Sequence, residues 1–317
     1  MNAFSASIQR EIQQHRSGFL WLPLGAFGFF ITLILLVLIA GNINFENVAR
    51  TYDDERVASL FTEQGDLTAS HALAYGLNLL DGFADDEKQA AFGVFRAACG
   101  YIFHVLFFLI AFFYLAGTLF DERSDRSILF WKSMPVSDWH AVLSKLLTVL
   151  LAVPVIYVLA IVATQLSLLL IVSIVGLFSS ASITSLWLDS GLLGGWIHLV
   201  IGYLVQGFWM LPVYGWLLLV SAWTNRNPVL VAVLAPIIPI ALEAVLFQTT
   251  YLSNWISSHF RWVALPGFSG VERSQMHTTD LSDALAVLAS GDFYLGIFIG
   301  AALVAGAVWF RRANNEI

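Results

Sequence analysis

The chain has 317 residues, 58% of them hydrophobic and only 12% charged, whereas a soluble globular domain carries roughly a quarter charged residues. Its apolar residues fall in long runs of about the 20 residues a helix needs to cross the hydrocarbon core, which excludes a soluble globular protein. The formal net charge of −7 comes with no dense Lys/Arg patch, which argues against a nucleic-acid partner, and the single cysteine, Cys99, excludes an intramolecular disulfide framework and a cysteine-based zinc site.

Residues 1–18 place Phe4, Ile8 and Ile12 at helical spacing, with Gln9, Arg10, Glu11 and Gln13 opposite. This pattern predicts a short amphipathic helix lying in the membrane surface. The stretch is polar and the run after it too long for the apolar core of a cleavable signal, so none is expected. A first span is expected at 19–40. Residues 42–94 then read as a long acidic extracytoplasmic loop, with Asp53, Asp54, Glu55, Glu63, Asp66, Asp81, Asp85, Asp86 and Glu87. A solvated acidic face is the plain reading of these acids, because their spacing fits no defined calcium loop.

A second span is expected at 98–120. The link that follows, 120–140, packs Asp121, Glu122, Arg123, Asp125 and Arg126 ahead of Ile128, Leu129, Phe130 and Trp131. Pro135 ends any helix there. Ser137 is placed to cap the next one, with Asp138 in its first turn. Two readings stay open on composition alone. The aromatics either dip into the headgroups, or form a knob for a soluble partner, since aromatics and Arg dominate interface hot spots.

The third apolar stretch, 141–178, is longer than one crossing needs, and is expected to project beyond the bilayer and bend at Pro154. A fourth span at 196–223 contains Pro212. A fifth opens at Asn227-Pro228, a cap followed by proline at the first helical position, and ends near 247. Residues 248–292 form a second outer segment, with Tyr251, Trp255, Phe260 and Trp262 suited to an aromatic belt. The sixth span is expected at 293–310. No repeat or low-complexity tract is seen. With both termini in the cytoplasm, nine of the fifteen basic residues, Lys145, Arg311 and Arg312 among them, fall inside, and most of the rest lie in long loops, which weigh little in setting orientation.

The 117–146 stretch resembles the signature of the ABC type-2 exporter permeases, bacterial six-span subunits. That pattern is an acid–Arg pair leaving the second span, a Ser or Thr, an apolar patch, Pro-Val/Leu-Ser, and a Lys in the third span. Here the positions are Glu122-Arg123, Ser127, Ile128 to Trp131, Pro135-Val136-Ser137 and Lys145. The likeness in architecture extends to the N-terminal interfacial helix, the six spans and the outer segment before the last. The acidic outer loop is longer than in compact members.

The resemblance implies an all-α single transmembrane domain in the bacterial inner (cytoplasmic) membrane. It implies a second permease chain, identical or homologous, and a separate ATPase in two copies that binds ATP and Mg. No G-x-x-x-x-G-K-[ST] phosphate loop occurs in this chain, so ATP hydrolysis is expected on that partner and no cofactor in the chain itself. Contacts to the ATPase are expected from Glu122, Arg123, Asp125, Arg126, Ser127, Phe130, Trp131, Met134, Pro135 and Trp139. Export is implied by the resemblance alone.

Within the spans, Glu243 follows Pro236 and Pro239, and an intramembrane carboxylate is a functional hypothesis by default. Gln165, Tyr203 and Gln206 either face a translocation path or bond neighbouring helices. His104 and His198 lack a second ligand at i+3 or i+4, which favours interhelical hydrogen bonds over a metal. Gly296 and Gly300 form a small-xxx-small face that permits close helix approach. An ion-coupled secondary transporter using Glu243 is the alternative, but it calls for several buried carboxylates or inverted repeats. An intramembrane enzyme would need a nucleophile–base pair or paired metal ligands, and no such spacing appears.

Overall fold

The computed structural model describes residues 3–40, 42–43, 67–133, 136–178, 183–260 and 286–313, and these are almost entirely helical. Six helical segments are long and apolar enough to cross a membrane, so the chain is a polytopic helical membrane protein. Met134, Pro135, the Phe4 side chain, Trp262 and the acids from Asp53 to Asp66 lie outside the described residues.

Helix α1 (Ala3–Gln14) leads through a π-turn (Ser17–Trp21) into α2 (Leu22–Ala40), the first span. The turn has a local cause. Leu22 donates its N–H to the Ser17 carbonyl, and the residue that would serve the Gly18 carbonyl in the same pattern is Pro23, which has no N–H. The hydroxyl of Tyr157 donates to that carbonyl instead, at 3.1 Å. The α1 helix does not simply lie on a membrane surface. Glu11, expected on its polar face, is only 4% exposed, because a carboxylate with cationic partners inside the protein is better placed there than in headgroups.

The loop expected over 42–94 is largely helical where it is described. A two-residue antiparallel pairing joins β1 (Asn42–Ile43) to β2 (Leu67–Thr68), followed by α3 (Ala69–Asp81) and the start of α4 (Asp85–Ser124). The acids Asp85, Asp86 and Glu87 form the first turn of α4, where they complement the helix dipole. Glu87 also accepts a hydrogen bond from the Ala84 N–H at 3.1 Å. The second span therefore begins thirteen residues earlier than its apolar run. Forty residues of α4 span about 60 Å, twice the hydrocarbon thickness of about 30 Å.

After α5 (Ser127–Ser133), α6 (Asp138–Leu147) runs into a second π-turn (Thr148–Ala152) and then α7 (Val153–Phe178). The bend expected at Pro154 is thus a π-turn just before it. Ser137 caps α6 by accepting the His140 N–H, as its position predicts. A small apolar cluster of Leu77, Phe92, Leu169 and Leu186 joins α3, the start of α4, the end of α7 and α8 (Thr184–Leu188). Lys88 pairs with Asp189 at 3.6 Å, and Arg96 donates to the Ser190 carbonyl. These contacts hold the start of α4 against the end of α7 and the segment after α8.

The stretch expected as one fourth span is two helices, α9 (Leu192–Trp209) and α10 (Leu211–Trp223), interrupted at Met210. Pro212 explains the break, since it is favourable in the first turn of a new helix and disruptive inside an old one. Asn227 caps α11 (Pro228–Leu242) by accepting the Leu230 N–H, as expected. A third π-turn (Glu243–Phe247) follows, then α12 (Tyr251–His259) and α13 (Gly291–Ala313).

The main core gathers the inner faces of α4, α6, α7, α9, α10 and α13, with Tyr157, Tyr214, Phe19 and Phe103 among its fully buried side chains. Helices α2 and α11 bury few residues completely along their apolar lengths. The small-residue face of α13 packs on α10. A Cβ on Gly300 would lie 2.7 Å from the backbone of Leu211, and one on Gly215 would lie 2.7 Å from the Gly300 carbonyl oxygen. Replacing Gly300 with Leu is expected to cost about 1–3 kcal/mol or more by overpacking, read as a lower thermal unfolding midpoint in detergent. Gly25→Ala, with open space around its Cβ, is the neutral control. Equal midpoints for the two variants would refute this packing.

Candidate functional site: a charged cluster and an exposed aromatic helix

At the end of the bundle that carries α1, ionic side chains from four helices meet below the surface. Lys145 of α6 lies 2.8 Å from a Glu11 oxygen and 2.8 Å from a Glu122 oxygen. The other Glu11 oxygen accepts the Tyr114 hydroxyl at 2.6 Å. The other Glu122 oxygen pairs with Arg311 of α13, whose Nε reaches Asp138 at 3.2 Å. Lys145 and Arg311 are each about 3% exposed. Charges this deep are tolerated only when paired and hydrogen-bonded, and here the signs alternate along the chain of contacts. His15 sits edge-on to Tyr114, 4.8 Å between centroids. Burial holds its imidazole below the usual histidine range, against the pull of the Glu11 carboxylate.

Arg123, beside this cluster, is 2% exposed. It donates to the carbonyls of Ser221 at 2.9 Å and Thr224 at 2.7 Å, and to Asn225 at 3.2 Å. The guanidinium therefore closes the last turn of α10, satisfying carbonyls that a helix end leaves over. The Glu122 carboxylate and both terminal nitrogens of Arg123, expected at a partner surface, are engaged within the chain.

The link between α4 and α6 is two-sided. Asp125 accepts the Ser127 N–H at 2.9 Å and starts α5. Arg126, at φ +60°, makes the left-handed turn between the two helices. Ile128 is fully buried beneath α5. Trp131 is half-buried, its ring under the guanidinium of Arg10, 3.4 Å from centroid to Cζ, a cation–π pair that fastens α5 to α1. The other side faces outward: Leu129 is 50% exposed, Phe130 61% and Trp139 41%, with Asp125, Arg126 and Lys132 exposed around them.

The residues expected along a path separate. Gln165 is fully buried, accepting the Trp196 indole N–H at 2.8 Å and donating to the Arg96 carbonyl at 3.4 Å, so it braces α4, α7 and α9. Tyr203 and Gln206 do line one cavity together, with His104. Glu243 stands apart from both, at the end of the fifth span. It accepts Thr249 at 2.8 Å, the Tyr251 N–H at 2.7 Å and the Leu252 N–H at 2.8 Å, capping α12 from a distance. Reasoning from sequence missed Glu11 as a partner of Lys145 and Arg311 as a partner of Glu122. The available signal was three charged residues at the margins of apolar runs, each costly unless paired.

Comparison with family models, with curated proteins and with solved structures finds no match for this chain.

Lys145→Met leaves two buried carboxylates short of a partner and is expected to cost about 3–5 kcal/mol. The double variant Glu11→Gln/Lys145→Met should recover part of that loss, and strict additivity of unfolding midpoints would refute the coupling. Glu243→Gln should speed hydrogen exchange at Tyr251 and Leu252 while leaving α4 protected. Unchanged exchange would count against the capping role.

Proposed function

We propose that this chain is the membrane-spanning permease subunit of an ATP-binding cassette transporter, an exporter, driven by a separate ATPase that docks on the 121–139 segment. The ATPase, in two copies, supplies ATP and Mg, and a second permease chain, identical or homologous, completes the transporter. Both termini, and with them the charged cluster, then face the cytoplasm of a bacterial inner membrane.

The observation that supports this reading is the division of α5 into a pinned side and a presented side. Ile128 and Trp131 hold the helix to the bundle, while Leu129, Phe130 and Trp139 stand out at the end that carries α1. Exposed aromatics of this kind are the anchors of protein interfaces. A push on α5 reaches α4 and α6 directly, and the Glu11–Lys145–Glu122–Arg311 contacts pass it to α1 and α13. The docking surface narrows to Leu129, Phe130 and Trp139, with Asp125, Arg126 and Ser127 at its rim, whereas Glu122, Arg123 and Trp131 serve as its fixture. The ion-coupled alternative has no specific observation in its favour, because the Glu243 carboxylate is engaged by three donors.

The test is co-purification of the tagged chain with the ATPase encoded nearest its gene, scored by ATP hydrolysis. Phe130→Asp combined with Leu129→Asp should weaken association by tenfold or more and leave the unfolding midpoint nearly unchanged, since both side chains are exposed. Native association and hydrolysis in that variant would overturn the docking assignment.

A further inference from the structure

A cavity of about 130 Å³ lies among α4, α9 and α10, lined by His104, Phe107, Phe108, Tyr203, Gln206, Met210, Tyr214 and Phe260. It sits at the α9–α10 break, and Phe260, 39% exposed, forms its rim by meeting Phe108 edge-on at 5.6 Å. His259 next to it is held in an aromatic box, stacked on Trp209 at 4.8 Å and against Trp255 at 4.4 Å, which fixes the end of α12 over the mouth.

The lining defines what fits. None of these eight residues carries a formal charge when histidine is neutral, so an ion has no counter-charge among the described residues of the lining. Five are aromatic rings of Phe or Tyr, and such rings favour edge and offset-stacked contacts with another ring. An engineered apolar cavity of about 150 Å³ holds one benzene, so this space takes a single six-membered ring. One polar handle is oriented. The Gly100 carbonyl, 3.1 Å from His104 Nδ1, only accepts, so Nδ1 carries the proton. The Tyr203 oxygen, 3.2 Å from the same nitrogen, then accepts as well, which leaves the phenol proton of Tyr203 to donate into the cavity.

We propose that this cavity is a binding site for a small, neutral, single-ring aromatic molecule bearing a hydrogen-bonding oxygen. The described lining comes from one chain, so the proposal does not rest on the transport reading.

The test uses the full chain in lipid nanodiscs and two probes, 4-fluorophenol and fluorobenzene, followed by fluorine NMR with binding to empty nanodiscs subtracted. Saturable binding of both is expected, with 4-fluorophenol favoured about tenfold, the value of one hydrogen bond. Tyr203→Phe keeps the volume and should abolish that preference while fluorobenzene still binds. Gln206→Trp fills the space and should abolish binding of both. No saturable binding above empty nanodiscs would mean a cavity that holds water only, and would overturn the proposal. So would native binding in Gln206→Trp, which would place the ligand elsewhere. If Gln206→Trp does not fold, Tyr203→Phe decides alone: an undiminished preference for 4-fluorophenol overturns the assignment.

Discussion

Burying a charge in a protein that itself sits in hydrocarbon is the constraint on which the rest of this structure turns. Glu11, Lys145, Glu122 and Arg311 come from α1, α6, α4 and α13, and each is placed where water cannot solvate it well. The cost of removing such ions from water is several kcal/mol each, so every one must keep its neighbours. That requirement fixes four helices relative to one another more tightly than apolar packing could, since one lipid-like surface slides over another with little penalty. Arg123 adds a fifth element by holding the last carbonyls of α10.

Prolines account for much of the remaining shape. Pro23 and Pro154 each follow a π-turn by two residues, and Pro212 sits just after the interruption at Met210. In each case the missing N–H frees a carbonyl or forbids a register, and the helix takes up the change locally. At Gly18 the neighbouring helix supplies the replacement donor through Tyr157. The bundle is therefore irregular at specific places, each with a chemical cause.

The spans were legible because an apolar run of about 20 residues has few other uses, and the caps at Ser137 and Asn227 were legible because their chemistry is local. What could not be read was long-range. Acidic residues from 85 to 87 look the same in a solvated loop and in the first turn of a helix, and the difference lies in Phe92 finding Leu77, Leu169 and Leu186. Glu11 looked like part of a polar helix face because its partner, Lys145, is 134 residues away. Glu243 looked uncommitted because the backbone amides that bind it belong to the next helix, eight and nine residues further along the chain. The segment around α5 does form a short helix, as its pattern predicts. Which of its residues face inward depended on Arg10 and α10, beyond the reach of a local pattern.

Helix α4 runs unbroken for forty residues, from the Lys88–Asp189 pair at one end to the Arg123 clamp at the other. It contains no proline and no π-turn, unlike the spans entered at Pro23, Pro154 and Pro212. A rod of that kind is a lever. Pivoted at one end, a tilt of about 5° displaces the other by about 5 Å over its roughly 60 Å length, close to one helical turn, with no bond in the rod itself having to break.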